Sequence, residues 1–154
     1  MAHSDRYAAA LDRVLELVVL LNDDMTQSLA RDGLTVSRAH VLWELRPRGP
    51  MTQRDLADAL KVSARTITGL IDGLVATGFV TREPHPTDRR ATLVTFTEHG
   101  VRTVEAMERG QQEFAQLLFA GMPDKQFDCF VEGLGEVLTR LRGAISQRID
   151  EGNQ

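Results

Sequence analysis

Apolar residues recur at three- and four-residue steps over both ends of this chain and alternate with polar ones over a short stretch past its middle. Leu11, Val14, Leu15, Val18, Leu21, Met25 and Leu29 fall on one face of a single long N-terminal helix. Phe127, Val131, Leu134, Val137, Leu138, Leu141 and Ile145 repeat the pattern near the other end, behind Pro123 at a first helical position. Val101, Val104, Met107, Phe114 and Leu118 predict a third, weaker helix interrupted at Gly110 and Gln111. These apolar faces flank the centre of the chain. Two chains packing them together bury them, which predicts a dimer. A bundle within one chain fits the periodicity almost as well.

Three short central helices share one start signature. Val36-Ser37 precedes Val41, Met51-Thr52 precedes Leu56, and Val62-Ser63 precedes Ile67. Each is a hydroxyl N-cap with an apolar residue before it and another four after it, the hydrophobic staple. Within "MTQRDLADALKVSARTITGLIDGLVATGFV" a helix over 53–60 buries Leu56, Ala57 and Leu60. A tight turn at Lys61-Val62 leads into a second helix from Ala64 to about Thr77, which buries Ile67, Leu70, Ile71 and Leu74 and ends at Gly78. Two helices around such a turn make a helix-turn-helix. Its second helix suits a DNA major groove, with Ser63, Arg65, Thr66, Thr68 and Gly69 on the outer face. Arg65 can bond guanine bidentately and the hydroxyls can reach bases or phosphates. The same pattern also serves a purely structural helical hairpin.

Residues 79–83 and 91–96 alternate as two strands joined by "PHPTDRR", so Asp88, Arg89 and Arg90 stand at a hairpin tip. A hairpin directly behind a recognition helix is a wing, and arginine at its tip suits the negative potential of a narrow minor groove. Asp88 and Arg90, two apart in extended backbone, can point to one side, so that the carboxylate orients the guanidinium. Simple solvated turn charge is the alternative for Asp88 and Arg89.

Net charge is −4 over 154 residues, which alone argues against a nucleic-acid partner. The distribution reverses that argument. From Arg46 to Arg90 eight basic residues face five acidic ones, while the remainder holds ten basic and seventeen acidic. A basic centre between acidic ends fits DNA, although a solvated surface accounts for the charge as well. The longest apolar stretch, Val14 to Leu21, is broken by Glu16 and far shorter than the ~20 residues of a membrane span. With no signal-peptide order at the N-terminus, a cytoplasmic protein is expected. Cys129, the single cysteine, excludes an internal disulfide. With Phe127, Asp128 and Phe130 beside it and no cation to lower its pKa, it reads as inert.

Over its whole length the sequence resembles the MarR family of winged helix-turn-helix transcriptional regulators. "LTVSRAHVLWEL" is similar to the family's second helix. "GPMTQRDLADALKVSARTITGLIDGLVATGFVTREPHPTDRRATLVTFTEHG" follows its DNA-binding core, including Asp-x-Arg at Asp88 and Arg90 and the exit at Phe96, Thr97 and Gly100. The resemblance implies a homodimer joined by its terminal helices. It further implies binding to pseudo-palindromic operators in double-stranded DNA, repression, and release by a small aromatic effector or by cysteine oxidation. Two departures stand out. Gly69 occupies a position where many relatives have arginine, and no cysteine lies in the first helix, where peroxide-sensing members carry theirs. Gly69 and Gly73 each cost about 1 kcal/mol relative to alanine in a helix interior.

The expected fold is therefore mainly α with a small β-hairpin wing, an α+β winged helix-turn-helix. A dimerisation helix is expected over 1–35, the DNA-binding domain over 36–100 and further dimerisation helices over 101–154. The family's effector cleft lies between the dimerisation helices and the winged domain. His40 and Trp43, three apart on one helix face, and Met25 from the first helix are candidates to line an aromatic pocket there. Core packing around a satisfied histidine is the plainer reading of the same residues. Asp23, Asp24 and His40 lack the spacing of a metal site, and His3, His85 and His99 are scattered, so neither metal nor cofactor is expected. No nucleophile motif or phosphate-binding glycine loop suggests an enzyme. An adaptor that keeps the fold without binding DNA is the alternative function.

Overall fold

The computed structural model describes residues 2–152. Met1, Asn153 and Gln154, at the ends of the expected terminal regions, and the side chain of His3 lie outside the described residues. Six helices and three strands follow in the order α1 (Ala2–Arg31), α2 (Val36–Arg48), β1 (Met51–Thr52), α3 (Gln53–Leu60), α4 (Ala64–Ala76), β2 (Val80–Pro84), β3 (Thr92–Phe96), α5 (Glu98–Phe119) and α6 (Asp124–Gly152). The fold is the expected helical one with a small antiparallel sheet. Where three ranges, 1–35, 36–100 and 101–154, are expected from role, packing divides the chain once, between Met107 and Glu108.

In the first unit the core is assembled from every element. Leu42 and Leu45 of α2, Leu56 of α3, Ile67, Ile71 and Leu74 of α4, Val80 and Val94 of the sheet and Val104 of α5 are essentially excluded from solvent. Leu29 joins them from α1, and Met25 packs partly against them. Leu60 and Leu70, expected in the core, are only partly buried at its margin. The sheet has the order β1-β3-β2, so β3 is central. Pro84 falls on the edge strand β2, where its missing N–H leaves no ladder bond unmade.

Caps place the helices. Thr52 and Ser63 accept hydrogen bonds from the backbone N–H of Asp55 and Thr66, as their positions predict. For α2 the cap is Thr35, not Ser37: its hydroxyl accepts from Arg38 N, and Ser37 lies inside the helix. With Thr35 as cap, Leu34 precedes the helix and is buried along with Ala39, so the staple starts two residues earlier than the Val36–Val41 pair suggested. Nor is α5 interrupted at Gly110 and Gln111; it runs unbroken from Glu98 to Phe119. Pro123 lies one residue ahead of α6, its carbonyl accepting from Phe127 N.

Thr97 ties the exit of the hairpin to the end of α4. Its hydroxyl donates to the Gly78 carbonyl and accepts from Gly100 N at 3.0 Å. Gly100 lies directly against the Phe79 carbonyl: a Cβ there would overlap that oxygen and stand 3.0 Å from the Phe96 ring.

The second unit is helical. Phe119 meets Phe127 edge-on at 5.6 Å between ring centres, and Phe130 at 5.9 Å. No residue of α6 is buried, and Val131, Leu134, Val137, Leu138, Leu141 and Ile145 all lie in solvent. On α1, Leu11 to Leu21 is exposed in the same way.

Candidate nucleic-acid interface

The turn between α3 and α4 is set by Lys61, which adopts left-handed backbone at φ 54°, ψ 44°. Lys61 N donates to the Asp58 carbonyl and Val62 N to the Ala57 carbonyl, closing α3 with a Schellman pattern. Gly78, at φ +82°, closes α4 in the same way: Gly78 N donates to Val75 O and Phe79 N to Leu74 O. Between these stops α4 buries Ile67, Ile71 and Leu74 and leaves Ser63, Arg65, Thr66, Thr68 and Gly69 exposed, so the five residues expected on its outer face all lie there.

Their hydroxyls are already engaged. Ser63 Oγ accepts from Thr66 N and donates to Thr66 Oγ1 at 2.9 Å. Thr68 Oγ1 donates to the Ala64 carbonyl at 2.8 Å and accepts from Gln53 Nε2 at 3.2 Å. Arg65, by contrast, has no hydrogen-bond or ion-pair partner among the described residues. Nothing lies within 4 Å of a Cβ placed on Gly69, which leaves that turn of the helix open to close approach.

A polar chain that local pattern does not reveal braces the three elements. Gln53, at the start of α3, donates to Thr68 of α4, while its Oε1 accepts from Arg82 Nε of β2 at 2.8 Å. The same guanidinium pairs with Asp72 of α4. The three elements α3, α4 and β2 are thus cross-linked by side chains of residues 53, 68, 72 and 82.

At the wing tip Asp88, Arg89 and Arg90 are exposed. Asp88 does not orient the Arg90 guanidinium as expected. Its Oδ1 accepts from the Arg90 backbone N at 2.9 Å, because residues 89 and 90 form a turn and not extended strand. His85 completes the loop: its Nδ1 accepts from the backbone N of Thr87 and of Asp88, at 3.2 and 3.1 Å. Both tip guanidinia are left without partners among the described residues, available to an outside anion.

His40 and Trp43 are paired rings on α2, 5.3 Å apart and tilted by 48°. Both are exposed on the single chain, and Met25 is half-buried against the core. Cys129 is exposed on α6. Among the described residues no group of three or more His, Cys, Asp or Glu is arranged to hold a metal ion, and no helix is long and apolar enough to cross a membrane.

A helix-turn-helix whose second helix presents arginine, followed directly by an arginine-tipped hairpin, defines a winged-helix DNA-binding protein. A sequence model of the MarR family matches residues 34–92. The transcriptional repressor YetL of Bacillus subtilis is 30% identical over 148 residues, covering 90% of this chain and 89% of YetL. The chain belongs to the MarR family of transcriptional regulators. Among solved structures, an E. coli MarR mutant complexed with operator DNA is 27% identical, with a TM-score of 0.62 over 84% of this chain and 94% of that one. A mutant of S. aureus MepR shares the fold at a TM-score of 0.73 and 24% identity, covering 86% of this chain and 97% of that one. YetL is a transcriptional repressor, and this chain, of the same family, is a transcriptional regulator and not an enzyme.

Proposed function

We propose that the chain acts as a homodimeric, sequence-specific repressor that sets α4 in the major groove and the β2–β3 hairpin in the minor groove of a pseudo-palindromic operator, and that a small aromatic ligand releases it. One observation carries this reading: Arg65 on α4 and Arg89 and Arg90 at the wing tip are exposed guanidinia without partners among the described residues, on the two elements that suit the two grooves. The E. coli relative complexed with operator DNA supports double-stranded DNA as the partner. Dimerisation is supported by the solvent-facing apolar stripes of α1 and α6, since contiguous apolar surface of that kind marks a protein interface. Two linked recognition helices then reach half-sites about one helical turn apart. The repressor role rests on the description of YetL.

The test combines assembly, binding and output. Sedimentation of the full chain is expected to give a dimer, and its gene's upstream region is expected to be shifted in a gel at lower protein concentration than random DNA. A reporter under that region is expected to rise when the gene is deleted. A stable monomer that still binds a palindrome tightly would remove the dimer, and a reporter that falls on deletion would make the protein an activator.

A further inference from the structure

Arg38 stands in the first turn of α2, where the helix dipole disfavours a cation. It is half-buried, and among the described residues its guanidinium has neither an ion pair nor a hydrogen bond; only its backbone N is engaged, by Thr35. A half-desolvated cation without a counter-ion is an unfavourable arrangement for folding alone.

The guanidinium lies on α4. A Cβ on Gly73 would overlap its terminal nitrogen and stand 2.6 Å from Cζ and 2.7 Å from Nε, so the bare glycine is what lets it lie there. Gly73 is four residues, about 6 Å along the axis, beyond Gly69 and twice that beyond Arg65. The three are spaced four apart and so run along one side of the helix. Gly69, the middle one, faces open space. Arg38 therefore continues the basic line begun by Arg65 down the groove-facing side of α4. Arg82 is held against Asp72, next to Gly73 in sequence, so a second guanidinium stands near this stretch of helix with its charge already compensated.

We propose that Arg38 is a DNA-phosphate contact, held in place by Gly73 and directed at the backbone that borders the major groove occupied by α4. This rests on the proposed docking of α4. A phosphate supplies the anion the site lacks, and the planar fork of arginine matches it. The contact is sequence-independent, because phosphate contacts carry register and not base identity.

The test measures affinity of the full-length protein for two duplexes, one from its gene's upstream region and one of random sequence, across a salt series. Arg38→Gln is expected to weaken both by about tenfold at moderate salt and to lower the salt slope by about one per protomer, leaving the ratio between the duplexes unchanged. Gly73→Ala is expected to reproduce part of that loss by displacing the guanidinium, while its melting temperature holds or rises with the better helix former. In the Arg38→Gln background it should add nothing. Arg109→Gln, which removes a charge elsewhere on the surface, should leave the slope in place. Parental affinity and slope in Arg38→Gln, with Arg65→Ala impaired, would overturn this inference alone. A parent that binds neither duplex would overturn the DNA-binding reading, and this inference with it.

Discussion

Arg82 Nε lies 2.8 Å from Gln53 Oε1, joining residues 29 positions apart and holding the first wing strand to the start of α3. Since Gln53 also bonds Thr68 and Arg82 also pairs with Asp72, the hairpin and α4 share one polar brace. Arg82→Lys keeps the charge but cannot serve both partners with a planar fork. It is expected to reduce operator affinity severalfold with little change in unfolding free energy, because exposed pairs contribute only about 0–1 kcal/mol. Equal losses of affinity and stability, measured by titration and by denaturant melts, would make the brace merely structural.

Gly100 and Gly110 in α5 provide a matched pair. A side chain at Gly100 runs into the Phe79 carbonyl and the Phe96 ring, whereas one at Gly110 meets nothing within 4 Å. Gly100→Ala is expected to destabilise by about 3 kcal/mol, as overpacking against fixed backbone does. Gly110→Ala is expected to stabilise by up to about 1 kcal/mol through helix propensity. Equilibrium unfolding in urea measures both, and a neutral Gly100→Ala would contradict the packing described for the hairpin exit.

How far the chain could be read without its structure follows from the range of each interaction. The caps at Thr52 and Ser63 and the stop at Gly78 are legible because they act within four residues. Thr35 is not legible as the cap because "LTVSRAH" offers two hydroxyls at the right distance from apolar partners, and only burial of Leu34 and Ala39 decides between them. Strand β1 is two residues long and exists through pairing with β3, at Met51–Val94 and Thr52–Leu93; so short a run has no period to detect. Gly110 does not break α5, since a glycine in the interior of a 22-residue helix is a local cost of about 1 kcal/mol that its neighbours outweigh. The outer face of α4 was readable from its helical period. Gln53, Asp72 and Arg82 were not, because their contacts join separate elements. At the wing, the exposure of Asp88 and Arg90 at the tip is legible, but their mutual geometry depends on a turn that alternation does not report.

Arg90→Ala is expected to weaken operator binding by roughly 1–3 kcal/mol per half-site, the scale of a direct contact. The loss should be larger on A·T-rich flanks, where a narrow groove concentrates negative potential. Arg65→Ala should instead relax base preference at one position in each half-site. Titrating each variant against matched operators separates the two. If Arg90→Ala binds A·T-flanked sites as tightly as the parent, the tip is solvated charge.

Trp43 is the only tryptophan, and it is exposed beside His40, so its fluorescence reports directly on an aromatic ligand at that face. If a phenolic acid binds there and opposes DNA binding, it must lower operator affinity by the same factor by which operator lowers its own. A screen in which such acids neither quench Trp43 nor displace operator would remove this pair as an effector site.

The left-handed backbone of Lys61 has a consequence for how this turn can be improved. Any residue bearing a Cβ holds that conformation at a cost of order 1 kcal/mol, which glycine avoids. Lys61→Gly should therefore raise the melting temperature slightly, yet it deletes an exposed cation from the corner that leads into the recognition helix. Stabilising the corner and keeping its charge are competing demands on one position, and a chain optimised for heat resistance alone would resolve them differently from one that must also hold a polyanion.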